Sequence, residues 1–182
     1  MGRTVAIGIQ DFDKVIEEDY FYVDKTSFIK EWWENGDDVT LITRPRRFGK
    51  TLNMSMLNRF FSLEYTGKGQ IFEGLFIWNE EKYRQLQGTY PVINISFANV
   101  KEKSFEAARE KIYQILIRLY AQHSFLLDGD LLYDTEKQYF KRINKHMSEV
   151  DATSVFHNLS NYLQRYYKQK IIILLVQRIL IN

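Results

Sequence analysis

The stretch LITRPRRFGKT, residues 41–51, limits what this chain can fold into more than any other. An apolar, β-branched run, Val39-Thr40-Leu41-Ile42-Thr43, leads into a basic turn ending in Gly49-Lys50-Thr51. From Lys50 onward the apolar residues change to helical spacing, with Leu52, Met56, Leu57, Phe60 and Phe61 on one face. Buried strand, glycine turn, amphipathic helix is the local order that a phosphate-binding loop requires.

Such a loop, G-x-x-x-x-G-K-[ST], opens on a glycine five residues before the second one. Here Arg44 holds that place, followed by Pro45, Arg46, Arg47 and Phe48. The loop works by pointing backbone N–H groups and a helix N-terminus at an anion. Gly49 lets the backbone bend around a phosphate, Lys50 reaches the β and γ phosphates, and the Thr51 hydroxyl coordinates Mg²⁺. Pro45 has no N–H and removes one donor. Arg46 and Arg47 add charge and forked donors in its place. The candidate nucleotide site is therefore Arg44, Pro45, Arg46, Arg47, Phe48, Gly49, Lys50 and Thr51, with Thr51 also the metal ligand. Two other readings stand beside it: a plain basic surface turn, and an arginine cluster that contacts nucleic-acid phosphates.

The rest of the chain narrows the class. Its 182 residues suit one domain, or one and part of another. At 45% hydrophobic residues a sizeable core can be buried, so disorder is excluded for most of the chain. A net charge of +2 carries no general argument for nucleic acid or a membrane surface. There is no cysteine, hence no disulfide framework or thiolate metal site, and His123, His146 and His157 show no ligand spacing. No run approaches the about 20 apolar residues of a membrane helix, and the N-terminus has no signal-peptide pattern. The expectation is a cytoplasmic protein.

Tyr20-Phe21-Tyr22-Val23 reads as extended. A helix follows, capped by Asp24, Thr26 or Ser27, carrying Phe28, Ile29, Trp32 and Trp33, and stopped by Asn35-Gly36. Residues 66–70 form a loop. Pro91-Val92-Ile93-Asn94-Ile95-Ser96-Phe97 is a second core strand. Ser104 caps a long helix carrying Phe105, Ala108, Ile112, Ile115, Leu116 and Leu119. Helices over residues 135–146 and 153–168, the latter capped by Asp151, lead to a third strand at Ile171-Ile172-Ile173-Leu174-Leu175. Apolar strands separated by helices predict an α/β fold, a parallel sheet with helices on both faces.

Four segments, IGIQDFDKV, YFYVDKTSFIKE, VTLITRPRRFGKTLNMSMLNRFF and YPVINISF, together resemble the bacterial AAA-ATPase-like proteins, a P-loop family often fused to a C-terminal PD-(D/E)XK-type nuclease domain. The resemblance runs in family order over most of the chain, and its phosphate loop also lacks the first glycine. It implies a P-loop NTPase-like domain spanning residues 1–182, ATP and Mg²⁺ as ligands, and Gly49, Lys50 and Thr51 as phosphate and metal residues. Tyr22, Asp24, Lys25 and Thr26 match a second family signature, read here as the start of a capped helix.

The departure comes at residues 171–182. The family places an acidic DEYD-type Walker B segment after the strand, whereas this chain has Val176, Gln177, Arg178 and Ile179. A Walker B Asp holds Mg²⁺ together with the P-loop Thr, so its loss implies impaired hydrolysis and leaves the catalytic residues unassigned. The domain is expected to be incomplete, a truncated or frame-shifted product. A non-catalytic fragment or interaction domain is the remaining alternative. Were the arginines a nucleic-acid site, DNA binding would fall steeply with salt and be lost in Arg46→Ala and Arg47→Ala, which a filter-binding titration measures.

Overall fold

The computed structural model describes residues 4–5, 8–43, 48–177 and 180–181. The chain divides into two compact units, residues 1–92 and 93–182. In the first unit, helices α1 (Phe12–Glu17), α2 (Ser27–Asn35), α3 (Lys50–Phe61) and α4 (Glu81–Leu86) are joined by 3₁₀ turns at Leu63–Tyr65, Gly69–Phe72 and Phe76–Asn79.

The core of this unit forms around the C-terminal half of α3. Met56, Leu57, Phe60 and Phe61 are fully or almost fully buried there, with Phe12, Val15, Ile29, Phe72 and Ile77. The rings form a chain of contacts. Trp33 stacks on Phe61 at 5.5 Å, Phe60 meets Phe72 edge-on at 5.3 Å, and Phe72 stacks on Phe12 at 5.3 Å. Such pairs contribute ~1 kcal/mol each beyond burial alone. Arg59, also buried, places Nε 2.8 Å from Asp13 Oδ1 of α1 and lays its guanidinium over Tyr65. At 2.8 Å this is a close ion pair, although Arg59 Nε lacks hydrogen-bond geometry. Burial outweighs the guanidinium and raises the Asp13 carboxyl above its ordinary range.

In the second unit, strands β1 (Val92–Ser96) and β3 (Ile172–Val176) are hydrogen-bonded neighbours. Helices α5 (Phe105–Gln122), α6 (Asp134–Arg142), α7 (Glu149–Thr153) and α8 (Val155–Tyr167) lie between them in sequence. Two further short strands, β2 (Lys101–Glu102) and β4 (Leu180–Ile181), pair in parallel, with Lys101 opposite Leu180. The architecture is α/β, with a small parallel sheet flanked by helices. Ile93 and Ile95 of β1 enter one hydrophobic cluster with Leu116, Leu119, Tyr120, Phe140, Val155, Leu159 and Leu163.

Several local expectations hold. Gly36 ends α2 in the left-handed conformation, φ 66°. Ser104 caps α5 by accepting from the Ala107 N–H. Others are corrected. Residues 39–43 form no strand, and Val39 and Leu41 are exposed. A strand exists through its ladder, and among the described residues of this unit only isolated bridges occur, Val5 with Phe21 and Ser62 with Tyr90. Without a neighbour, β-branched composition leaves the segment extended and unpaired. The strands that do form are buried on alternate residues rather than throughout. Ile172 and Leu174 are buried, while Ile173 and Leu175 are each 45% exposed. The second helical stretch stops at Arg142, short of residue 146. Asp151 does not cap α8. It sits inside α7, and its carboxylate completes a capping box with Ser148.

All three tryptophans, Trp32, Trp33 and Trp78, belong to the first unit, so their fluorescence reports its unfolding. Phe60→Ala should destabilise that unit by about 3–5 kcal/mol in a denaturant titration followed by tryptophan emission.

Candidate functional site: the glycine turn at the start of α3

Helix α3 begins at Lys50, and its N-cap is Gly49 in the left-handed conformation, φ 74° and ψ 15°. A residue with a β-carbon adopts that φ only at a cost, so the glycine is a backbone requirement here. The Gly49 carbonyl accepts the first helical bond, from the Asn53 N–H at 2.8 Å. No side chain caps this end, in contrast to the serine caps at α5 and α7. The N-terminus of α3 is thus closed by no capping side chain.

Lys50 and Thr51 occupy the first turn, Lys50 exposed and Thr51 half-buried, and Phe48 precedes them with its ring exposed. Of the sequence-predicted site, Phe48, Gly49, Lys50 and Thr51 are thus gathered at one helix start. Arg44, Pro45, Arg46 and Arg47 lie outside the described residues.

A second piece of chain converges on this turn. Asp24 Oδ1 accepts from the Thr26 N–H at 2.8 Å and the Thr26 hydroxyl at 2.7 Å, and its Oδ2 accepts from the Phe76 N–H at 2.7 Å. Thr26 is fully buried, and its hydroxyl oxygen accepts from the Ile77 N–H at 3.1 Å. Both side chains therefore tie residues 24–26 to the 3₁₀ turn Phe76–Asn79 (η3), beyond a local cap. Thr26 is the N-cap of α2 by position but makes no side-chain capping bond.

Tyr22 holds the other side. Its ring meets Phe12 edge-on, its hydroxyl donates to Met56 Sδ on α3 at 3.5 Å, and it accepts from the Lys25 N–H at 3.3 Å. Burial pushes the Tyr22 phenol up to about 12, which keeps it a donor at neutral pH. Between these anchors the Lys25 ammonium comes to 3.6 Å from the position a Gly49 β-carbon would occupy. Sequence reasoning treated this segment as a helix start and left Lys25 without a role. Its contact with the glycine turn joins residues 24 positions apart. Only the family signature hinted that the two segments belong together.

The strand expected to lead into acidic residues ends without them. β3 closes at Val176, whose carbonyl accepts from the Phe97 N–H at 2.8 Å, and exposed Gln177 follows. Arg178 and Ile179 lie outside the described residues. Neither oxygen of Asp24 is idle, so it is a poor substitute for the absent acids. Glu73 is exposed in the same unit. Among the described residues no group of three or more His, Asp or Glu side chains is placed to hold a metal, and no helix is long and apolar enough to cross a membrane.

Comparison with known proteins decides the family. Residues 6–176 match the family described as "Predicted AAA-ATPase". The chain belongs to this AAA-ATPase-like family. Among curated proteins it is similar to the "Uncharacterized protein in vnfD 5'region" of Azotobacter chroococcum mcd 1, at 35% identity over 115 residues. That alignment takes in 63% of this chain and 21% of the relative, so the chain spans about a fifth of the protein it matches. No solved structure matches.

Two outcomes are expected from this geometry. Thr26→Val leaves the Ile77 N–H without its acceptor and should cost about 1–3 kcal/mol in the same denaturant titration. Tyr22 has a folded pKa above its ordinary value of 10.0, so its contribution is complete below that value and declines as pH rises toward about 12. Alkaline unfolding curves of wild type and Tyr22→Phe should therefore differ in slope over that window, with the variant less sensitive.

Proposed function

We propose that this AAA-ATPase-like chain binds ATP with Mg²⁺ through the turn leading into α3, and hydrolyses it poorly. The observation that carries the reading is the start of α3 itself. A left-handed glycine without a capping side chain is followed directly by a lysine and a threonine. The positive end of this 12-residue helix, which no side chain caps, suits it to a phosphate. Lys50 supplies a formal charge at its edge, and Arg44, Pro45, Arg46, Arg47 and Phe48 complete the loop in the sequence. Membership of the AAA-ATPase-like family supports the same ligand.

The residues present fit a Mg²⁺ ion carried in with the nucleotide. Thr51 is the hydroxyl that the chain offers it, and the phosphates supply further oxygen donors. When bound, such an ion neutralises charge on the phosphate oxygens. The chain's own part is to orient the polyphosphate through the α3 N–H groups and Lys50. After β3 it offers Val176 and Gln177, neither a carboxylate, to hold the ion or order a water molecule. Binding is therefore expected to outlast turnover.

Titration with a fluorescent ATP analogue, with and without Mg²⁺, tests the proposal. Lys50→Ala should weaken binding at least tenfold, and unchanged affinity in that variant would sink the nucleotide reading. Phosphate release should stay well below about 1 per second, the lower end of ordinary enzyme rates.

A further inference from the structure

We propose that Lys25 is a second phosphate-binding cation of this site, reaching the nucleotide's polyphosphate from across the glycine turn. The inference rests on the nucleotide reading above and assigns it a residue from a separate stretch of chain.

The argument begins with how Lys25 is held. Its neighbours use their polar groups for structure: Asp24 and Thr26 on the backbone of Phe76 and Ile77, Tyr22 on Met56 and on the Lys25 N–H itself. The Lys25 backbone is thereby fixed on both sides, while its side chain is exposed. Among the described residues no carboxylate forms an ion pair with its ammonium. The ammonium instead lies at the N-cap of α3, 3.6 Å from where a Gly49 β-carbon would sit.

That is an unfavourable place for a cation on its own. A helix N-terminus carries roughly half a positive charge. The helix end and the ammonium are alike in sign, and repulsion between like charges costs free energy unless an anion lies between them. A nucleotide polyphosphate is an anion of the required charge. A lysine on a flexible stem suits a phosphate as a point-charge partner, and the hydrogen bond between them is charge-assisted.

The test is titration of the full chain with fluorescent analogues of ATP and AMP, for wild type, Lys25→Ala, Lys25→Arg and Lys50→Ala. Lys25→Ala should weaken the ATP analogue about tenfold. It should weaken the AMP analogue less than twofold, and Lys25→Arg should restore most of the ATP affinity. Without ligand, the unfolding midpoint of Lys25→Ala should equal or exceed that of wild type, because a repulsive charge has gone. ATP affinity unchanged in Lys25→Ala but lost in Lys50→Ala overturns the role of Lys25 and leaves the nucleotide reading intact. Equal losses for ATP and AMP, or a lowered unfolding midpoint, overturn it in favour of a structural lysine. Failure of wild type to bind either analogue overturns both readings.

Discussion

The buried face of α3 is the constraint on which the first unit depends. Four of its residues, Met56, Leu57, Phe60 and Phe61, are sealed from solvent and carry the ring contacts that reach α1, α2 and the following 3₁₀ turns. Because the last half of the helix is locked in this way, its first turn is locked too. The glycine turn therefore sits at the end of a rigid rod and not on a free loop, and a site built there inherits the precision of the core. The buried Arg59 and its Asp13 partner add a polar tie to α1 at the same end of the helix as the ring contacts.

The remaining anchors act on the segment at residues 22–26. Tyr22 joins it to the middle of α3 through Met56, and Asp24 and Thr26 join it to Phe76 and Ile77. Side chains that could each have made a local helix cap instead span about fifty positions of sequence. Breaking one of these bonds removes a buried acceptor or donor and also loosens the placement of the one exposed cation in the segment.

What was legible in the sequence was local. The helix from Lys50, the stop at Gly36 and the cap at Ser104 each follow from a few neighbouring residues, and each formed as read. Features that depend on a distant partner were not legible. The run at residues 39–43 has strand composition, but composition cannot supply the neighbouring strand that a ladder needs. Asp151 was a reasonable cap for α8 taken alone, yet Ser148 three residues earlier starts a separate short helix, α7, and draws Asp151 into its reciprocal box. The candidate site divides the same way. Gly49, Lys50 and Thr51 are proposed from spacing, whereas the proposal for Lys25 required knowing which two segments meet.

The crowding of positive charge at the start of α3 also bears on the stability of the whole first unit. A ligand that binds only the folded form adds to its stability in proportion to the logarithm of ligand concentration, about 2.7 kcal/mol at a hundredfold excess over Kd. An anion at this turn would contribute that linkage and would also offset the repulsion between the Lys25 ammonium and the positive helix end. The unfolded chain, with no helix end and Lys25 hydrated, has no such repulsion to relieve. An anion bound there and the fold would thus reinforce each other, and the ionic composition of the buffer would become part of what sets the melting temperature of this protein.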